Sequence, residues 1–193
     1  MKRRLFLAAP LLLAACGLSE RPYTERRDWP LLIRRPQSLP PRRGGPILEV
    51  RPITPGPGLE ARGLQSLEAD GSLHTAFYEE WAVPPAEGIG DALRLWLRGA
   101  GKFGGVVAPG SRLTADLVLE GELTALWTEP AEHRARATLA VTVIDQRSGN
   151  SRILLQRTFT ATAPLPSDAA PDAAAAQIAA LTEVFQQIEA AVP

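Results

Sequence analysis

The sequence predicts an α+β domain, with a mostly antiparallel sheet that ends in a three-stranded meander and with two helices packed on one face. Three observations lead there. Between Leu113 and Thr162 apolar and polar residues alternate in three successive runs separated by short turns. Two other stretches, Glu87 to Gly99 and Ala174 to Val192, repeat their apolar residues at helical spacing. One helix cannot cover the apolar face of a long meander, whereas two can, which gives a two-layer arrangement.

The elements follow in order. Ile47 to Arg51 reads as a first strand, stopped by Pro52 and the turn-rich Thr54-Pro55-Gly56-Pro57-Gly58. Arg62 to Leu67 and Leu73 to Tyr78 are short strands on either side of Asp70-Gly71. After Pro84-Pro85, residues Ile89, Ala92, Leu93, Trp96, Leu97 and Ala100 mark the buried face of a helix that stops at Gly99 or Gly101. The first meander strand places Leu113, Ala115, Leu117, Leu119, Gly121, Leu123, Ala125 and Trp127 on one face. The second runs from Arg134 to Asp145 and the third from Arg152 to Thr162. In the last helix Ala174, Ile178, Leu181, Phe185, Ile188 and Val192 share a face, and Asp168 and Asp172 lie where a helix start favours negative charge.

The amino terminus carries a different signal. Lys2, Arg3 and Arg4 precede the uncharged run Leu5 to Ala15. As a helix that run covers only about half of a bilayer's hydrocarbon core, so it is too short for a permanent span and fits an export signal. Leu13-Ala14-Ala15-Cys16-Gly17 matches the bacterial lipobox, in which small residues precede a cysteine whose sulfur takes a diacylglyceryl group before cleavage. Cys16 is the one cysteine of the chain, which excludes an internal disulfide and a Cys-based zinc site. Residues 1–15 are therefore expected to be a lipoprotein signal peptide. Cys16 is the expected lipidation site, its acyl chains, palmitate among them, giving stable anchoring without a span. Arg3-Arg4-Leu5-Phe6-Leu7 also resembles the twin-arginine export motif, and the export route stays open. An acidic residue after the cysteine favours the inner membrane in many bacteria. Gly17 stands there, so the periplasmic face of the outer membrane is the expected address, with the inner membrane as the alternative.

Charge divides the rest. The chain has 21 basic and 21 acidic residues, but Gly17 to Gly45 holds seven arginines against three acids, and Pro46 onward holds eleven basic residues against eighteen acidic ones. With Pro22, Pro30, Pro36, Pro40 and Pro41 in it, the segment 16–45 reads as a lipid anchor and basic, extended tether. Tyr23, Trp29 and Leu31-Leu32-Ile33 suggest that part of it packs on the domain or a partner. Residues 46–193 read as a single periplasmic domain, acidic and so unsuited to nucleic acid.

Signals for catalysis, cofactors or metals fail on inspection. Gly99-Ala100-Gly101-Lys102-Phe103-Gly104 fits GxGxxG, but it closes a helix instead of opening one after a strand. His74 and His133 have no metal spacing, no serine sits in a GxSxG elbow, and the adjacent Glu79 and Glu80 of an extended segment point to opposite faces. No enzyme, no cofactor and no metal site is expected.

Phe77-Tyr78-Glu79-Glu80-Trp81-Ala82-Val83-Pro84-Pro85 resembles the central motif of the ABC-type transport auxiliary lipoprotein family, the PqiC-like lipoproteins, in which an aromatic strand runs into Trp-Ala-x-Pro-Pro before the first helix. The order of lipobox, linker, strand, motif, helix, meander and Ala-rich helix is similar over the mature chain. Family members commonly have His-Arg where Glu79-Glu80 stands. The resemblance implies a non-enzymatic auxiliary or docking component of a lipid-transport system between two membranes, whose partner is an MCE-domain protein of an ABC transporter. The alternative is a carrier that holds a hydrophobic ligand between sheet and helices. Tyr78, Trp81, Pro84 and Pro85 are the expected partner contacts, and self-association stays open.

Overall fold

The computed structural model describes residues 23–193 apart from Ser148 and Asn150, so the signal segment and Cys16 lie outside the described residues. The described residues form nine strands, β1 Arg27–Trp29, β2 Ile47–Val50, β3 Thr54–Pro55, β4 Gly63–Leu67, β5 Leu73–Trp81, β6 Gly105–Val107, β7 Leu117–Glu129, β8 Arg134–Asp145 and β9 Arg152–Pro164. The helices are α1 Pro85–Arg98 and α2 Ala170–Ala191.

The strand β7 is the spine of one mixed sheet. β8 pairs antiparallel along its whole length, and β9 extends the meander to one edge. On the other side of β7 the short strands β2, β3 and β4 succeed one another in parallel register, meeting Leu117, Glu122 and Thr128 respectively. β6 flanks β2, while β5 flanks β4 antiparallel and carries β1 at the far edge. The long antiparallel pairs come from the meander, as its alternation predicts. Each parallel pair brings in a strand of two to five residues; β2 and β4 fall within the expected strands 47–51 and 62–67, whereas β1, β3 and β6 were not anticipated.

The first meander strand differs from expectation in its start and in its phase. It starts at Leu117, not Leu113, because the Asp116 carboxylate accepts the amide of Ile47 at 2.8 Å and closes the sheet there. A bulge between Leu123 and Ala125 then reverses the phase, so Leu126 and Thr128 take the inner face and Trp127 moves to the outer face opposite Arg136. Trp127 was expected inside.

Both helices cover the inner face and share one core. In α1, Pro85 occupies the first turn, where its missing N–H costs nothing, and Ile89, Leu93 and Leu97 are fully buried. α2 lies against β8 and β9 through Ala173, Ala176, Ala180, Leu181, Val184 and Ile188, the alanines allowing a close approach. Trp96 of α1 meets Phe185 of α2 edge-on, with ring centroids 5.7 Å apart.

The segment read as tether through residue 45 is part of this fold from Arg27 onward. β1 joins the sheet, and Leu31 and Ile33 are buried in the core. Arg35 grips the Glu189 carboxylate with two hydrogen bonds of 2.7 and 3.1 Å, and the Trp96 indole donates to the same carboxylate. Those donors, the Arg35 hydrogen bond foremost, hold Glu189 below the usual carboxylate range. Of the expected packing run Leu31-Leu32-Ile33, the first and last residues enter the core and Leu32 stays exposed.

The glycine motif also finds its purpose here. The amide of Leu39 donates to Gly99, that of Arg42 to Phe103 and that of Gly104 to Pro46, so residues 39–46 run along the exit of α1. A Cβ on Gly104 would stand 2.4 Å from the Gly45 carbonyl oxygen, which explains glycine at that position by close backbone approach. Lys102 donates to the carbonyls of Glu189 and Val192 at 2.7 Å each, capping the last turn of α2.

Candidate functional site

The motif from Phe77 to Pro85 spans the end of β5 and the entry to α1, and the structure divides its residues among three environments. Trp81 is 1% exposed and belongs to the core. Its amide donates to Arg62 O, while the Arg62 guanidinium returns a 2.8 Å hydrogen bond to Trp81 O, so the backbone is held as firmly as the ring. Pro85 is buried at the first turn of α1. Neither offers a surface to a partner. Pro84 and Tyr78 remain exposed, but on different features.

Pro84 borders a cleft of about 470 Å³. Its floor is apolar, from Val50, Ile53, Pro55, Leu59 and Ala86, and charged residues such as Arg51, Glu60 and Arg94 stand among its lining. The cleft lies where residues 51–53, which link β2 to β3, run beside α1. At Gly90 the two segments lie close, a Cβ there standing at contact distance, 3.5 Å, from Ile53.

Tyr78 sits on a bulge. Register pairs Gln65↔Thr75 and Gly63↔Glu80 leave Ala76, Phe77, Tyr78 and Glu79 opposite Leu64 alone, so β5 arches away from β4. Gly63 makes room for the arch, because a Cβ there would lie 2.2 Å from the Ala76 carbonyl oxygen. Phe77 and Tyr78 are displayed at its crest, 69% and 44% exposed. Their rings pack edge-on with centroids 4.9 Å apart.

Glu79 and Glu80 are engaged separately. Glu79 accepts the Trp29 indole N–H at 2.8 Å, and Glu80 pairs with Arg26 and Arg62 at 3.5 and 3.6 Å. They stabilise the seam between β1 and β5 and do not converge on a common point, as their adjacency in an extended strand anticipates. Among the described residues no group of three His, Cys, Asp or Glu side chains gathers as a metal site would require, and no helix is long and apolar enough to cross a membrane.

The motif thus sits in a domain with a filled two-layer core, an apolar cleft at one helix entry and an aromatic arch. Its fold is that of solved structures. Protein XCC0632 from Xanthomonas campestris, of family DUF330, superposes with a TM-score of 0.70 at 19% identity, over 84% of this chain and 92% of that one. The hypothetical protein CT253 from Chlamydia trachomatis gives a TM-score of 0.53 at 12% identity, over 76% of this chain and 97% of that one. No curated protein matches in sequence. The chain belongs to the ABC-type transport auxiliary lipoprotein component family, whose model matches residues 31–189. That match begins at Leu31, inside the segment read as tether, in keeping with the buried Leu31 and Ile33.

Proposed function

We propose that the protein is a periplasmic lipoprotein, anchored through Cys16, that serves as a non-enzymatic docking component of an MCE/ABC-type system moving lipids between the two membranes. The observation that carries the reading is the family match over residues 31–189, which takes in nearly all of the folded domain. The anchoring half rests on the lipobox around Cys16, and Gly17 favours the outer membrane's periplasmic face.

The partner contact falls at the cleft. Of Tyr78, Trp81, Pro84 and Pro85, only Pro84 is both exposed and beside a concavity with apolar walls and charged borders, which is the form a protruding partner segment needs. The carrier alternative needs space between sheet and helices. Leu139, Val141, Leu181, Val184 and Phe185 fill that layer, each at most 2% exposed, so the docking reading is preferred.

Affinity purification of the tagged lipoprotein from cross-linked membranes tests this. An MCE-domain protein is expected in the eluate, and its recovery falls at least about five-fold when Ile53→Arg fills the cleft, given that buried apolar contacts dominate such interfaces. An eluate free of every ABC-system subunit would overturn the proposal.

A further inference from the structure

The aromatic arch of β5 lies where the chain leaves the folded domain. β1 runs parallel to β5 with Arg27 beside Glu79, so the residues before it approach from the side of Phe77 and Tyr78. Arg26 confirms the direction, since its guanidinium lies over the Phe77 ring, 5.3 Å from the centroid. Tyr23, 89% exposed, adds a third aromatic at this exit.

The distance to the lipidation site is short. From Cys16 to Tyr23 there are seven residues, which at full stretch span at most about 25 Å. With the folded unit starting at Arg27 instead of Pro46, the leash is a fraction of the length that its proline and arginine content suggests. A domain held so closely presents its exit side to the membrane, and that side carries the arch.

The chemistry of the arch suits the headgroup region. Its carboxylates are already engaged, Asp28 by Arg62 at 2.8 Å, Glu79 by the Trp29 indole and Glu80 by two arginines. What stands free is a pair of aromatic rings, the type of side chain that settles at membrane–water interfaces. The arch is a costly way to display them, because it interrupts the β4–β5 ladder and demands glycine at position 63.

We propose that Phe77 and Tyr78, with Tyr23 beside them, rest in the headgroup layer of the membrane that holds the chain's own lipid, and so fix the orientation of the domain on that membrane. The proposal rests on lipidation at Cys16. The rings are what the arch displays outermost, and the contact is driven by them. It therefore forms on zwitterionic and anionic bilayers alike and survives added salt.

The test uses the full lipidated protein reconstituted into phosphatidylcholine vesicles, with and without phosphatidylglycerol. Cys16 has no free thiol once acylated, so Tyr78→Cys or Ile153→Cys each gives one position for a fluorophore. Ile153 is an exposed control on β9, at the opposite edge of the sheet. Headgroup-quencher lipids are expected to quench the label at position 78 at least about three-fold more than at 153, equally in both vesicle types. Adding Phe77→Ser to the labelled Tyr78→Cys protein should bring quenching down to the control level. Equal quenching at 78 and 153 in a vesicle-bound protein would overturn the proposal and leave the anchor standing. Protection of position 78 from a water-soluble quencher without lipid quenching would overturn it in favour of a second copy or a protein partner. A chain that fails to float with vesicles at all would instead remove the anchor reading.

Discussion

Two neighbouring aromatic sites in one nine-residue strand show how environment decides what a side chain is for. Trp81 and Tyr78 are three residues apart in β5, yet the first is enclosed by the core and the second stands on the arch. Truncating Trp81 removes a large packed ring and leaves a cavity, so Trp81→Ala is expected to lower the unfolding free energy by about 3–5 kcal/mol. Phe77→Ala and Tyr78→Ala should each stay within about 0.5 kcal/mol of the parent, since neither ring is packed in the core. Denaturant titration of the three variants checks this contrast, and a cost at position 78 like that at 81 would mean that the arch is a structural element. The sequence marks both aromatics as notable, but a Trp at a strand end reads equally as core or contact until the neighbouring strands are in place. Pro84 and Pro85 divide in the same manner, one lining the cleft and one closing the helix entry.

At the scale of elements, the hairpin of β7 and β8 is locked at its turn by Glu129. This buried carboxylate accepts hydrogen bonds from Arg136 at 2.5 and 3.2 Å, from Arg134, and from the Trp127 indole at 3.3 Å. Arg136 foremost, with Arg134 and Trp127, outweighs the cost of burial and lowers its pKa from 4.5 to about 2. A depressed carboxylate pKa stabilises the fold above the unfolded value, so this contribution is complete above about pH 4.5 and is lost as pH falls toward 2. Glu129→Gln should therefore destabilise the domain at pH 7, by on the order of 1–2 kcal/mol given the partly exposed arginines, and flatten the decline between pH 4.5 and 2. Melting temperatures of parent and variant across that window check it, and parallel curves would contradict it.

The same hairpin shows which elements a sequence can reveal. β7, β8, β9 and both helices were legible because their periodicity is local and extends over a dozen residues or more. The bulge after Leu123 was not, since one inserted residue reverses the faces without altering composition, and it carried Trp127 to the outside. β1, β3 and β6 depend on parallel neighbours distant in the chain, and nothing in three residues announces such a partner. The arch of β5 belongs with them. Its register becomes visible only against Gly63 on β4.

For the whole molecule, the chief correction concerns how much of the chain folds. The basic, proline-rich stretch supplies an edge strand, two core residues and the Arg35 clamp on α2, so the domain extends to within about a dozen residues of Cys16. The arginine content that suggests a solvated leash serves partly as ion-pair partners, Arg26 for Glu80 and Arg35 for Glu189. A short leash changes the mechanical picture. In the proposed arrangement the domain is held against one membrane, with the arch toward the bilayer and the cleft beyond the end of β5 for a partner, instead of ranging through the periplasm. This arrangement depends on one covalent event at one sulfur. Intact mass spectrometry of the protein purified from membranes tests it most directly. The expected species is a mature chain beginning at Cys16 whose mass includes a diacylglyceryl group and an amide-linked acyl chain. A water-soluble mature chain with an unmodified Cys16, or a membrane-bound chain that keeps residues 1–15 and carries no lipid, would contradict it.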